Sequence, residues 1–268
     1  MNPTFGFIGT GNMGSALVRA AAQAMDAKNI TLADQCAEKA AALAAELGCQ
    51  STDVKTLAQN CYYIFLGVKP QVMEAMLADI APVLASRQDK FVLVSMAAGL
   101  STADIRRMAK KDYPVIRIMP NIPASVGGGV ILFDCTDNVS AEETAAFREN
   151  MRFAGLIDPL PEKLIDAGSA LSGCGPAFVC LFIEALADGA VACGLPRDKA
   201  LAYAAQTLAG TAKMLLQSGM HPGQLKDAVC SPGGTTIAGI MAMEESGFRA
   251  GAMDAVMAAY QRTLELAK

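Results

Sequence analysis

The chain contains no tryptophan and a single histidine, His221, among its 268 residues. One imidazole cannot supply a mixed cysteine–histidine metal set. The eight cysteines, at positions 36, 49, 61, 135, 174, 180, 193 and 230, include no C-x-x-C pair. Metal chemistry is therefore not expected, and reduced thiols in a cytoplasmic protein are. Basic residues are also few: 22 Lys and Arg against 26 Asp and Glu give a net charge of −4. No Lys/Arg cluster is read along the chain, which argues against a nucleic-acid face. Charges are expected to break every apolar stretch short of the roughly 20 residues a bilayer requires. The opening MNPTFGFIGT has no basic leader region, so neither a membrane span nor a secretory signal is expected.

Apolar matter is abundant. Hydrophobic residues make up 53% even without glycine, above the roughly 45–50% typical of globular domains. The surplus is expected to be buried against a second subunit.

The first half alternates β-rich and helical runs. Strands are expected at Phe5–Ile8, Ile30–Ala33, Tyr62–Val68, Phe91–Ser95, Val115–Ile118 and Val130–Phe133, with helices such as Ala37–Leu47 and Val72–Leu84 between them. That alternation predicts βαβ units in a parallel sheet covered on both faces. After Asp158-Pro159 the strand signal stops. An apolar helical run over Glu162–Cys193 is interrupted at Gly173-Cys174-Gly175-Pro176, and helices over Thr236–Glu245 and Arg249–Ala267 are separated by Gly247. The fold class expected is α/β, a Rossmann-type doubly wound sheet over residues 1–158, followed by an all-helical dimerisation and substrate-binding domain over 159–268.

The strand Phe5–Ile8 runs into Gly9-Thr10-Gly11-Asn12-Met13-Gly14 and then a helix. In this G-x-G-x-x-G spacing Gly9 makes the tight turn, Gly11 lets backbone approach a pyrophosphate, and Gly14 lets helix and strand pack closely. The helix N-terminus offers free N–H groups to phosphate. Asp34, twenty residues beyond Gly14, is placed to accept from a ribose 2′-hydroxyl, which would favour NAD(H); a helix cap or turn is the equally weighted reading. Beside a 2′-phosphate Asp34 would need a cation, and Lys39 is a candidate. Gly67-Val68-Lys69-Pro70 ends the third main strand, where the ligand crevice of an open α/β sheet lies; Lys69 is read as a cofactor neighbour or as a solvated loop charge.

Two segments point to a substrate. In Arg117-Ile118-Met119-Pro120-Asn121-Ile122-Pro123 the prolines stiffen a loop at a strand end, read as presenting Asn121 to a ligand or as a purely structural proline loop. In Ser231-Pro232-Gly233-Gly234-Thr235-Thr236, Ser231 is read as a helix cap and Pro232 as a first-turn residue. Two glycines there leave amides open to a small carboxylate. His221 is read as a helix-start residue.

These strings, with Ser-Gly-Cys-Gly-Pro-Ala-Phe (172–178) and His-Pro-Gly-Gln-Leu-Lys-Asp (221–227), resemble the Δ1-pyrroline-5-carboxylate reductases from end to end and in family order. The resemblance implies NAD(P)H-dependent reduction of Δ1-pyrroline-5-carboxylate to L-proline, the last step of proline biosynthesis, with NADP(H) the usual cofactor and NAD(H) left open. It implies a homodimer through the helical domain, five dimers forming a decamer in some members. Carried over, Ser231, Gly233, Gly234 and Thr235 would hold the substrate carboxylate, and Thr236 would face the ring nitrogen as the catalytic residue. Glu162 would touch the ligand. The implied cofactor set is Ile8, Gly9, Thr10, Gly11, Asn12, Met13, Gly14, Asp34, Gln35, Gly67, Val68, Lys69, Pro70, Ala97 and Asn121. Cys174 replaces a common Ser, Asp34-Gln35 replaces an Asn-Arg-like pair, and Ala228 replaces a polar residue found in some members.

With no histidine, thiol pair or carboxylate dyad marked as a strong acid, positioning is expected to carry most of the catalysis. A β-hydroxyacid dehydrogenase would need a lysine within Gly173–Cys193, and none is there. A non-catalytic dinucleotide sensor would have no use for the Ser231–Thr236 nest.

Overall fold

Runs such as Phe-Gly-Phe-Ile and Tyr-Ile-Phe-Leu leave no position for solvent, so as strands they must be covered on both faces. The computed structural model describes residues 4–266. In it β1 (Phe5–Ile8), α1 (Asn12–Ala24), β2 (Ile30–Ala33), α2 (Ala37–Leu47), β3 (Gln50–Ser51) and α3 (Val54–Asn60) are followed by β4 (Tyr63–Leu66), α4 (Pro70–Ser86), β5 (Val92–Ser95), α5 (Thr102–Ala109) and β6 (Val115–Pro120). Then come β7 (Gly129–Cys135), α6 (Ala141–Met151) and β8 (Gly155–Pro159). The strands form one sheet in the order β3-β2-β1-β4-β5-β6-β7-β8. The first six in chain order run parallel; β7 pairs antiparallel with β6, and β8 parallel with β7. β3 and β8 are additions to the strands expected from the sequence.

Alternation places the side chains of each strand in two cores. Phe5, Phe7, Tyr63 and Phe65 pack on one face with Phe147 of α6, the rings of Phe7 and Phe65 stacked 4.1 Å apart. Ile8, Ile64 and Leu66 pack on the other with Leu57, Met73 and Leu77. Helix starts carry the expected chemistry: Asp53 caps α3, and Ser101–Asp104 and Ser140–Glu143 form capping boxes on α5 and α6.

The remaining elements are α7 (Glu162–Ser172), α8 (Gly175–Ala192), α9 (Arg197–Ser218), α10 (Pro222–Val229), α11 (Thr235–Glu245) and α12 (Phe248–Leu266). Ala267, at the expected end of the last helix, lies outside the described residues. The described residues form two compact units, one of residues 4–173 with 260–266 and the other of Cys174–Ala259. The expected boundary after Asp158 marks the end of the sheet, whereas α7 stays with the sheet unit because Ile165 packs on Met119 and Leu132.

Within the second unit α8 buries only Ala187, and α11 buries no residue. One expectation is corrected here. The stretch Glu162–Ala192 contains an 18-residue window of mean hydropathy 1.7, of which 11% is buried. By length and composition it is apolar enough to cross a bilayer. No charge occurs between Asp166 and Glu184, and the Gly, Ala and Ser residues of this stretch disguise its apolar length.

Candidate active site

The chain leaves β1 at Gly9 with φ +98°, a left-handed backbone that favours glycine. A Cβ on Gly9 would lie 2.4 Å from the carbonyl oxygen of Gly67, and one on Gly14 would lie 2.2 Å from that of Gly9. Both positions are closed to any side chain. A Cβ on Gly11 would meet nothing within 4 Å. Gly11 is the N-cap of α1 and no side chain caps that helix, so the amides at its start face open space. They border a cleft of about 480 Å³ lined by Thr10, Gly11, Asn12, Met13, Arg19 and Lys39. Open backbone amides at a helix N-terminus with cations beside them fit the phosphates of a dinucleotide.

Asp34 does not reach into this cleft in the way the fingerprint suggests. The amide and hydroxyl of Thr10 donate to its Oδ2 at 2.6 and 2.9 Å, and the Cys36 amide donates to Oδ1 at 3.0 Å. Burial pushes this carboxyl up, but the bonds from Thr10 and Cys36, with Lys39 nearby, outweigh it and hold the group below its ordinary value. Asp34 is thus a clamp on the glycine loop. Gln35 beside it is exposed.

Gly67 donates its amide to the Ile8 carbonyl at 2.7 Å, which brings the Gly67–Pro70 segment against the glycine turn. Lys69 is the extended N-cap of α4 and Pro70 its first residue; the lysine side chain is exposed. Ala97 is buried just past β5. Asn121 requires a correction. Its side chain is not presented to a ligand: Nδ2 donates to the Ser172 carbonyl at 2.8 Å and Oδ1 accepts from the Val130 amide at 2.8 Å. The residue is buried because it ties β7 and the end of α7 to the end of β6.

Glu162 also has another task. Its carboxylate accepts from the amide and hydroxyl of Thr102 at 2.7 and 3.0 Å and from Arg117 at 3.3 Å, while its own amide donates to Asp134 at 2.6 Å. Both oxygens are engaged within the sheet unit. Arg117 also donates to Asp166 at 2.9 Å, and its buried Nε has no partner among the described residues. This buried cluster was not read from the sequence; the available signal was an arginine inside the otherwise apolar strand Val-Ile-Arg-Ile-Met-Pro.

A second overlooked feature is basic. Arg106, Arg107, Lys110 and Lys111 do form a cluster, lining a groove of about 560 Å³. Its charge is largely answered locally: Arg106 pairs with Asp137, Arg107 with Asp104, and Lys111 lies over the Tyr113 ring.

In the second unit, Ser231-Pro232-Gly233-Gly234 is a reverse turn closed by the Gly234 amide donating to the Ser231 carbonyl at 3.0 Å. Gly233 has φ +68°, and proline followed by glycine at the corners suits a type II turn. Ser231 is therefore not the helix cap, nor Pro232 a first-turn residue. The turn places Gly234 as the N-cap of α11, with no side-chain cap bond, and Thr235 and Thr236 as its first residues. A Cβ on Gly234 would lie 2.3 Å from Ser231 Oγ. The outcome is a hydroxyl, the unbonded amides of a helix start and two exposed threonines on one short segment. His221 caps α10, accepting from the Gly223 amide at 3.1 Å, with Gln224 completing the box.

A mostly parallel sheet with a glycine turn at its first crossover, in a chain whose second unit is all helical, defines a nicotinamide-dinucleotide oxidoreductase. Residues 4–99 match the family model described as NADP oxidoreductase, coenzyme F420-dependent, and residues 162–266 match pyrroline-5-carboxylate reductase dimerisation. The chain belongs to the pyrroline-5-carboxylate reductase family. It is 40% identical to the pyrroline-5-carboxylate reductase of Methanosarcina acetivorans over 100% of this chain and 99% of that one. The crystal structure of the Coxiella burnetii reductase aligns with TM-score 0.93 at 31% identity, covering all of both chains. That of Plasmodium falciparum, with NADP bound, aligns with TM-score 0.86 at 31% identity over 100% of this chain and 99% of the other.

Proposed function

We propose that this chain reduces Δ1-pyrroline-5-carboxylate to L-proline with NADP(H), the closing step of proline biosynthesis. The observation that carries the reading is the Ser231–Thr236 turn, a carboxylate-sized nest opening a helix, in a chain that also carries an open dinucleotide cradle at Gly9–Gly14. The cofactor, when bound, supplies the hydride. The chain binds and orients. The Ser231 hydroxyl and the amides at the start of α11 hold the substrate carboxylate, aided by the partial positive charge of the helix end. The Thr236 hydroxyl bonds to the ring nitrogen, where it favours the protonated, more electrophilic imine and relays a proton from water. No strong acid is needed, because the iminium forms readily and the barrier falls mainly through positioning.

The active form is a homodimer joined through the second unit, and the family resemblance carries further assembly of five dimers into a decamer. The exposed apolar side chains of that unit, Leu181, Leu201, Met253 and Met257 among them, support self-association, and a second copy rather than lipid covers them. Eight free thiols support a reducing, cytoplasmic location. The test is oxidation of NADPH, and separately NADH, on adding Δ1-pyrroline-5-carboxylate, with proline measured as product. Cofactor oxidation with stoichiometric proline is the expected result; binding of dinucleotide with no oxidation would overturn the reading.

A further inference from the structure

Two cations line the cleft beside the glycine loop, and one carboxylate, Asp34, is bonded to the Thr10 that borders it; they do not share the same state. The Asp34 carboxylate is turned onto Thr10 and Cys36, accepting three hydrogen bonds. Arg19 lines the cleft but holds Glu46 through both terminal nitrogens, at 2.5 and 2.8 Å. Lys39 lines the same cleft from the first turn of α2. It is exposed, and among the described residues no carboxylate lies within ion-pair distance of it; the ion pairs of this region are those of Arg19 and Lys55.

From this we infer that Lys39 is the residue that selects the cofactor, reading the 2′-phosphate that distinguishes NADP from NAD, while Asp34 positions the loop instead of reading the ribose. The inference deepens the dinucleotide-reductase reading and rests on it. An anionic Asp34 alone would repel a phosphate carried on the adenosine ribose. Lys39 reverses that field because its ammonium has no fixed partner, whereas the Arg19 guanidinium is already bound bidentately to a carboxylate. The lysine sits where the helix start adds to its positive potential.

Binding of cofactor fragments tests this without turnover. Adenosine 2′,5′-bisphosphate and adenosine 5′-monophosphate are titrated by calorimetry into the full-length chain and into Lys39→Ala, Lys39→Glu and Asp34→Ala. The unaltered chain should prefer the bisphosphate. Lys39→Ala should lose roughly ten- to hundredfold in bisphosphate affinity with the monophosphate unchanged, as expected for a charge-assisted bond. Lys39→Glu should invert the preference. Asp34→Ala should weaken both ligands, because the loop that receives either one loses its clamp. An unaltered chain without preference, a Lys39→Ala chain that keeps it, or an Asp34→Ala chain that loses the monophosphate alone would each overturn the assignment. Lys39 is solvent-exposed, so its variants should keep the fold, which unchanged thermal unfolding verifies. A Lys39-dependent preference in a chain that makes no proline would sink the function and leave this inference standing. Proline formation with a Lys39-independent preference would do the reverse.

Discussion

At Gly14 there is room for a hydrogen atom and nothing larger. Because the obstruction is the backbone of Gly9 at 2.2 Å, Gly14→Ala has to move the glycine turn itself. It should lower NADPH affinity at least tenfold in a fluorescence titration while the second unit is untouched. Thr236 is the opposite case, an exposed side chain that the fold does not need. Thr236→Ala should reduce kcat for proline formation by roughly ten- to hundredfold, the value of one well-placed hydrogen bond of about 1–3 kcal/mol, with dinucleotide affinity unchanged. A variant at full activity would remove Thr236 from the reaction. Features that follow from backbone chemistry were legible in the sequence: the glycine turn at Gly9–Gly14 and the open amides ahead of α11, although the Pro232-Gly233 corner was read as the helix start itself. Residues whose role depends on where a side chain turns were not. Asn121 and Glu162 were given ligand roles and Asp34 either a ribose or a cap role, while each is bound to a group 24 to 60 positions away along the chain, and such pairings carry no local signature.

Helix α6 shows how an element is pinned to the sheet. Glu143, in its capping box, accepts from the Ser140 amide at 2.6 Å, from Lys90 Nζ at 2.8 Å and from the Tyr62 hydroxyl, and its carbonyl accepts from the Tyr63 hydroxyl at 2.7 Å. Burial pushes the Glu143 carboxyl up, but the bonds from Lys90, Tyr62 and Ser140 hold it below its ordinary 4.5. Its stabilisation is therefore complete above about pH 4.5 and fades as the pH falls through the lowered folded value. Glu143→Gln should cost about 1–3 kcal/mol in urea unfolding at neutral pH and flatten the acid limb of the stability profile below the ordinary 4.5. An unchanged limb would mean the cluster contributes nothing to stability. The central strands were visible as short apolar runs. The reversal at β7 was not, since period and propensity do not encode strand direction, and β8 was missed because its pattern is half polar and it lies at an edge.

On the scale of the whole molecule the second unit presents much of its apolar side-chain matter outward: Leu216 is 84% exposed, Leu181 67% and Met253 60%. If two copies cover that surface, Leu181→Glu on α8 should convert the assembly to monomers in sedimentation equilibrium and abolish proline formation. A dimer that survives the change would place the interface elsewhere. The surplus of hydrophobic residues announced such a surface in the sequence, but not which helix faces form it, because Ala-, Met- and Leu-rich helices without a clear polar stripe carry no directional pattern.

The exposed helical faces also bear on how the protein comes into being. If two copies cover them, a newly made chain shows these faces from the moment its helices form until a second copy arrives, and finding a partner competes with misassociation and capture by chaperones. Pairing is second order in chain concentration and helix formation is not. The yield of finished enzyme should therefore rise more steeply than the rate of synthesis when copies are scarce. Simple dilution should then act on the purified enzyme as a denaturant, lowering its melting temperature with every tenfold drop in concentration.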